Sequence, residues 1–261
     1  MSTTFAISPS VIVWATMTVS SLKKAIHQWP EMTDALARLD GRHWPYEIEG
    51  AQGGLLGFFL AEYVERIRGR ILVVVPTEKE LEALRADLDL AGLDAEVLPW
   101  WGTIAYRPAP VGFLVFGQRV ARLAALLDGQ AADAGRVLAM TQRAFLTPVP
   151  PPEYLRSLLF PVKKGDRFDP AELAERLARA GYTRVPRVTV HGEFALRGEV
   201  LDVFMPGEAE AHRITFDFDA VEHIRSFDPA TQSSTGSVDS LAVYPMREVV
   251  WTEALVAALE A

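Results

Sequence analysis

The chain has 261 residues, 49% of them hydrophobic, with a formal charge of −8 and no cysteine. That length holds one large or two ordinary domains, and the apolar fraction suffices for a buried core. The acidic balance argues against a surface that holds nucleic acid through its overall field, and the lack of cysteine excludes a disulfide framework, a thiolate zinc site and a cysteine nucleophile.

Residues 11–19 are apolar, but no Lys or Arg precedes them and they contain Thr and Ser. They also fall far short of the ~20 residues that cross a bilayer, so neither a signal peptide nor a membrane contact is expected, and a cytoplasmic chain is. Residues 21–29 and 31–39 read as two short helices broken at Pro30, because a proline inside a helix removes a hydrogen bond and clashes with the turn before it. Residues 46–49 read as a strand, followed by the glycine-rich turn of Gly50, Gly53, Gly54 and Gly57 and an apolar helix through Ile67.

A strand, a glycine-rich turn and a helix make the setting of a phosphate-binding loop. In a loop of the G-x-x-x-x-G-K-[ST] kind, a lysine reaches the β- and γ-phosphates and a hydroxyl holds magnesium. Laid onto residues 50–57, the lysine position falls on Leu56 and the hydroxyl position on Gly57. Leu56 cannot neutralise phosphate and Gly57 offers a metal nothing, so neither nucleotide hydrolysis nor a cofactor is expected. The five histidines are scattered, with none at the i, i+4 spacing of a metal pair, and no metal site is expected.

The apolar run at 70–75 is expected to be a parallel strand covered on both faces. Thr77 with Glu80 makes a capping box, Leu81, Leu84 and Leu88 share one helical face, and Gly92 ends that helix. Residues 95–98 and 136–140 read as further strands with a helix around 119–127 between them, an alternation that implies a doubly wound α/β domain. The aromatic stretch from Trp100 to Tyr106 lacks the interleaved Lys and Arg of a strand-binding groove, so it reads as core or inter-domain packing.

Four prolines in the five residues 148–152 mark a stiff extended connection and the boundary between residues 1–150 and a second domain at 151–244. In the second domain, residues 158–162 read as a strand, and Asp169, Pro170 and Glu172 open a helix that Gly181 ends. From 181 to 228, short β-branched and aromatic segments alternate with Gly, Pro and acidic turns, the pattern of an antiparallel sheet with one wet face in a smaller α+β domain. A period of two puts Ile214, Phe216 and Phe218 on the core face and Arg213, Thr215 and Asp217 on the wet one. A short strand from 241, Pro245 and a helix from about Thr252 complete the chain.

The order of these pieces carries a resemblance. Gly192-Glu193-Phe194-Ala195-Leu196-Arg197-Gly198, then Arg213-Ile214-Thr215-Phe216, then the nine residues from Arg225 to Ser233 resemble the N-terminal region of bacterial transcription-repair coupling factor, itself similar to the excinuclease protein UvrB. The resemblance implies an incomplete P-loop-NTPase-like α/β domain with a decayed nucleotide site, a second domain that docks the excinuclease protein UvrA, and residues 245–261 starting a return into the first domain. Complete family proteins also engage RNA polymerase and DNA through regions that these residues do not include.

The family's contact positions fall on Arg197 and Arg213, where a planar guanidinium suits carboxylate recognition. Each arginine could instead form a surface ion pair with Glu193, Glu199 or Asp217, a contact worth little. Some family members carry an aromatic on the wet face where Asp217 stands. Either a strand irregularity turns Phe216 or Phe218 outward, or docking here relies more on charge; Thr215 and Glu199 are lesser rim positions. The expected function is a non-catalytic recruitment module, with a UvrB-like ATPase or an α/β enzyme of other chemistry as alternatives.

Overall fold

A computed structural model of the protein describes residues 18–40, 47–67, 69–102, 113–127, 137–250 and 257. The expectations for residues 11–17, Tyr46, residues 103–106 and the helix from Thr252 lie outside the described residues. By its contacts the chain forms two units, Met1–Arg68 with Ala83–Leu93, and Gly69–Glu82 with Asp94–Ala261.

In the first unit, Thr18 opens α1 (Val19–His27) through a reciprocal capping box with Ser21. Pro30 is the first residue of α2 (Pro30–Asp40), where its missing N–H leaves no helical bond unmade. With α3 (Gly54–Ile67), these helices bury Met32, Leu36, Leu39 and Phe59 against Ile26, Leu55 and Tyr63. Residues 47–49 form no strand, contrary to expectation: they are exposed and, among the described residues, have no neighbouring strand to complete a ladder. Gly50 and Gly53 take positive φ of 83° and 57° in the turn before α3. Gly57 is buried inside α3, where a Cβ would lie 2.3 Å from the Asp87 carbonyl oxygen.

The second unit begins with β1 (Ile71–Val75) and then α4 (Glu78–Leu90), whose last residues belong to the first unit. Thr77 and Glu80 make the expected reciprocal cap of α4. Then come β2 (Ala95–Val97), α5 (Phe113–Leu127), β3 (Val137–Thr141) and α6 (Gln142–Leu146). The three strands form a parallel sheet in the order β1-β3-β2. Central β3 is buried throughout, but Leu72 and Val74 of edge strand β1 are 50% and 40% exposed, so the run at 71–75 is covered on one face only among the described residues.

Trp100 and Trp101 are partly buried, as the packing reading expects. Trp101 lies 5.9 Å from the Phe116 ring and donates to Glu248 Oε1 at 3.0 Å, while Arg143 sits over Trp100. Glu248 also pairs with the buried Arg119 of α5, whose Nη1 donates to the Pro99 carbonyl at 2.7 Å.

Pro152 ends the proline run by opening α7 (Pro152–Leu158), a helix where the sequence pattern implies connection and strand. After β4 (Phe160–Lys163), Asp169 caps α8 (Pro170–Arg179) by accepting from Ala171 N at 2.8 Å. Seven strands follow: β5 (Thr183–Arg184), β6 (Glu193–Arg197), β7 (Val200–Val203), β8 (Ala211–Asp217), β9 (Ala220–Phe227), β10 (Ser234–Val238) and β11 (Ser240–Val243). Strands β10 to β5 form a six-stranded sheet in descending order, antiparallel except where β5 meets β6, and β11 pairs with β4. One face of this sheet packs on Leu173 and Leu177 of α8 and on Phe160 and Val162 through Phe194, Leu201, Ile214, Phe216 and Ile224. The chain is thus mixed α/β, with one parallel sheet and separate antiparallel ones.

Gly57→Ala is expected to destabilise the chain by about 1–3 kcal/mol, because the added methyl meets backbone and not a yielding side chain. Thermal unfolding checks this, and an unchanged melting temperature would mean that the α3 contact is slack.

Candidate docking surface

The register of the six-stranded sheet sets which side chains share its other face. Ala195, Asp202, Arg213, Arg225 and Ser237 are Cα partners in one row across β6, β7, β8, β9 and β10. Arg197, Val200, Thr215 and His223 form the next row. On the other side, Ala195, Phe204, Ala211 and Phe227 bury a small apolar cluster with Val188. This face is dry at one end and wet at the other.

Asp202 stands at the border and is fully buried. An isolated carboxylate there would be prohibitively desolvated, so it must be paired and hydrogen-bonded. Its Oδ1 accepts from Arg213 Nε at 2.7 Å, and its Oδ2 accepts from Arg213 Nη2 at 2.8 Å and Arg197 Nη2 at 2.6 Å. The Arg213 fork is bidentate, and its guanidinium also lies 4.7 Å from the Phe227 ring centroid. Hydrogen bonding to Asp202 raises the Arg213 pKa above its ordinary value, with partial burial opposing, so the group stays charged. The arginine side chains remain 50% (Arg197) and 27% (Arg213) exposed.

Both expected arginines are therefore brought together, through a partner that sequence reasoning missed. Glu193 is otherwise engaged, accepting from Thr189 N and Val190 N at 2.8 and 3.0 Å. Glu199 is exposed in the two-residue turn between β6 and β7, and Asp217 is exposed at the end of β8. The signal for Asp202 was an acid between Leu201 and Val203 in an apolar strand. Thr215 lies on the wet face as expected.

Phe218 does not lie on the core face with Ile214 and Phe216. Asp217 pairs with Ala220, so the strand period ends there and Phe218 with Asp219 forms a two-residue hairpin turn. Phe218 takes φ 55° and is 81% exposed. A left-handed backbone is costly for a bulky side chain, and its occurrence at an exposed tip is the kind of outlier that accompanies function. The tip is tied down: Arg167 Nη1 donates to both Asp219 carboxylate oxygens at 3.1 and 3.3 Å, and Phe168 N donates to the Asp219 carbonyl at 2.8 Å.

Residues of the motif at 225–233 have architectural work. Asp228 Oδ1 accepts from Ala230 N at 2.7 Å, which lowers its pKa, and the Gln232 amide donates to the carbonyls of Val188 and Pro229 at 3.1 and 2.8 Å. This pins one loop over the apolar cluster. Gly50, Gly53, Gly54, Leu56 and Gly57 lie in the first unit, where Gly57 serves helix packing. Among the described residues no group of three or more acidic or histidine side chains could hold a metal ion, and no helix is long and apolar enough to cross a membrane.

Residues 160–248, which include Arg197, Asp202 and Arg213, match the UvrB interaction domain family. The chain is 32% identical over 240 residues to a transcription-repair-coupling factor of Myxococcus xanthus, covering 85% of this chain and 20% of that protein. It is 28% identical over 205 residues to that of Escherichia coli (77% and 17%) and 25% identical over 206 residues to that of Borreliella burgdorferi (77% and 18%). The chain is similar to part of these transcription-repair-coupling factors, and it spans about a fifth or less of their length.

Asp202→Asn keeps the shape but turns an amide donor toward two guanidinium donors. The substitution is expected to lower stability by about 1–3 kcal/mol, whereas Arg197→Ala, at a half-exposed position, costs under about 1 kcal/mol. Denaturant unfolding of the two variants checks this ordering.

Proposed function

We propose that this chain is a non-catalytic recruitment module of transcription-coupled nucleotide excision repair, and that residues 151–244 dock the excinuclease protein UvrA. The observation that carries this reading is the triad of Arg197, Arg213 and Asp202, in which two guanidinium groups against one carboxylate leave a net positive, ordered and half-exposed patch on an acidic chain. The triad lies within the residues that match the UvrB interaction domain, a description that supports a partner among the excision-repair proteins. Thr215 belongs to the same face, and Glu199 and Asp217 stand at its rim.

Phe218 supplies the aromatic anchor, displaced from the strand face to the hairpin tip at the end of the sheet where the β6–β7 turn also lies. A rigid tip limits the ordering entropy of docking. Residues 1–150 act as an α/β module derived from a P-loop fold, with residues 245–261 returning into it. That module binds no nucleotide, because Leu56 replaces the phosphate-binding lysine and Gly57 is committed to its contact with Asp87. In a longer protein, RNA polymerase and DNA would be engaged through other regions, and the location would be cytoplasmic.

The test is calorimetric binding of purified UvrA to this chain. Arg197→Ala, which leaves the bidentate Arg213–Asp202 pair in place, is expected to weaken binding by about tenfold or more while circular dichroism stays unchanged; retained affinity would overturn the reading. Phe218→Asn places a residue that tolerates positive φ at the tip, so it is expected to keep or raise the melting temperature while weakening docking about tenfold. Measurable ATP binding would instead favour a UvrB-like ATPase.

A further inference from the structure

Antiparallel sheets are stabilised by complementary cross-strand pairs, and like charges directly opposite each other are destabilising. Arg213 and Arg225 are such a pair, Cα partners on β8 and β9 in the row that contains Asp202. Both oxygens of Asp202 are already occupied by Arg213 and Arg197. Arg225 is exposed, and among the described residues its side chain has no hydrogen bond or ion pair. Its row neighbour Ser237 turns its hydroxyl to the Ile224 carbonyl at 3.3 Å, and the nearby Glu222 faces His223 at 3.6 Å. Three guanidinium groups thus share a face with one buried carboxylate, and the sheet does nothing to neutralise the third.

We propose that Arg225 is a further partner-binding residue of this face, the cation left available for a carboxylate on the partner, while Asp202 is a positioning residue that holds Arg197 and Arg213 beside it. The proposal rests on the docking reading above. The occupant is an acidic protein surface. A chain of net charge −8 repels a polyanion at long range, and a patch this small recognises isolated carboxylates in register with a sheet row. Burial beneath a partner strengthens a guanidinium–carboxylate pair that would be weak in open solvent.

The experiment uses the whole chain and purified UvrA, with affinity measured at low and high salt beside the melting temperature of each variant. Arg225→Ala is expected to weaken binding at least tenfold and to flatten its salt dependence, Arg225→Glu to weaken it more than a hundredfold, and Arg225→Lys to fall between Ala and the unaltered chain, because the charge survives but the fork does not. The melting temperature of Arg225→Ala should hold or rise, since the clash with Arg213 is relieved. A merely structural arginine cannot give this opposed pair of effects.

If Arg225→Ala and Arg225→Glu bind within twofold of the unaltered chain while the folded Arg197→Ala variant binds weakly, the docking reading stands and this proposal falls. A melting temperature that drops together with affinity also overturns it. Loss of duplex-DNA binding in Arg225→Ala with UvrA binding unaffected would assign the face to nucleic acid and overturn it as well. Failure of the unaltered chain to bind UvrA overturns both.

Discussion

Asp202 lies between Leu201 and Val203 on a strand with no solvent access at its carboxylate, and such a charge persists only because three N–H groups converge on it. The convergence has a consequence for the surface. Long arginine side chains on a wet face normally sample many rotamers, and fixing them opposes any contact they make. Here the ordering is accomplished in folding, with Arg213 clamped bidentately and stacked on Phe227 and Arg197 steadied by one bond. Both side chains remain partly exposed. The same triad can be read as an internal ion-pair network, and exposure separates the two readings: a purely internal network has no need to leave half of Arg197 in water.

In the first unit, packing accounts for the glycine at the position that a phosphate-binding pattern gives to a hydroxyl. A glycine at the hydroxyl position of a phosphate-binding loop could be a recent loss in an otherwise open cradle. Gly57 is instead buried with the Asp87 backbone in the space where a Cβ would go, so a serine or threonine there requires α3 to move. Gly50 and Gly53, by contrast, face open space with positive φ and serve only to turn the chain. The glycines of this stretch therefore have two unrelated physical causes, a turn and a close helix contact.

Much of the fold was legible because the signals were local. Thr77 with Glu80, Asp169 with Pro170, and Pro30 between two helices each fix an element boundary through bonds made within a few residues. The alternation of β8 was legible for the same reason. What was not legible depended on partners distant in sequence. Among the described residues, residues 47–49 have strand composition but no strand beside them, and Leu72 and Val74 have the apolarity of a covered strand without a cover. Asp202 was overlooked because its bonds to Arg197 and Arg213 arise from registry between three strands, and the Arg213–Arg225 juxtaposition has the same origin.

Phe218 marks the limit of period arguments most clearly. Counting by two from Ile214 sends it into the core, and the count fails because the hairpin turns after Asp217. Glycine, asparagine or aspartate would occupy that left-handed position with less strain, and none of them would place an aromatic ring in solvent. The neighbouring bonds from Arg167 to Asp219 hold the turn so that the strain is not relieved by fraying. Neither the strained backbone nor the exposed ring stabilises the sheet that displays it. Under the docking proposed above, the ring would be buried on the partner, at the end of the sheet that also carries Arg197.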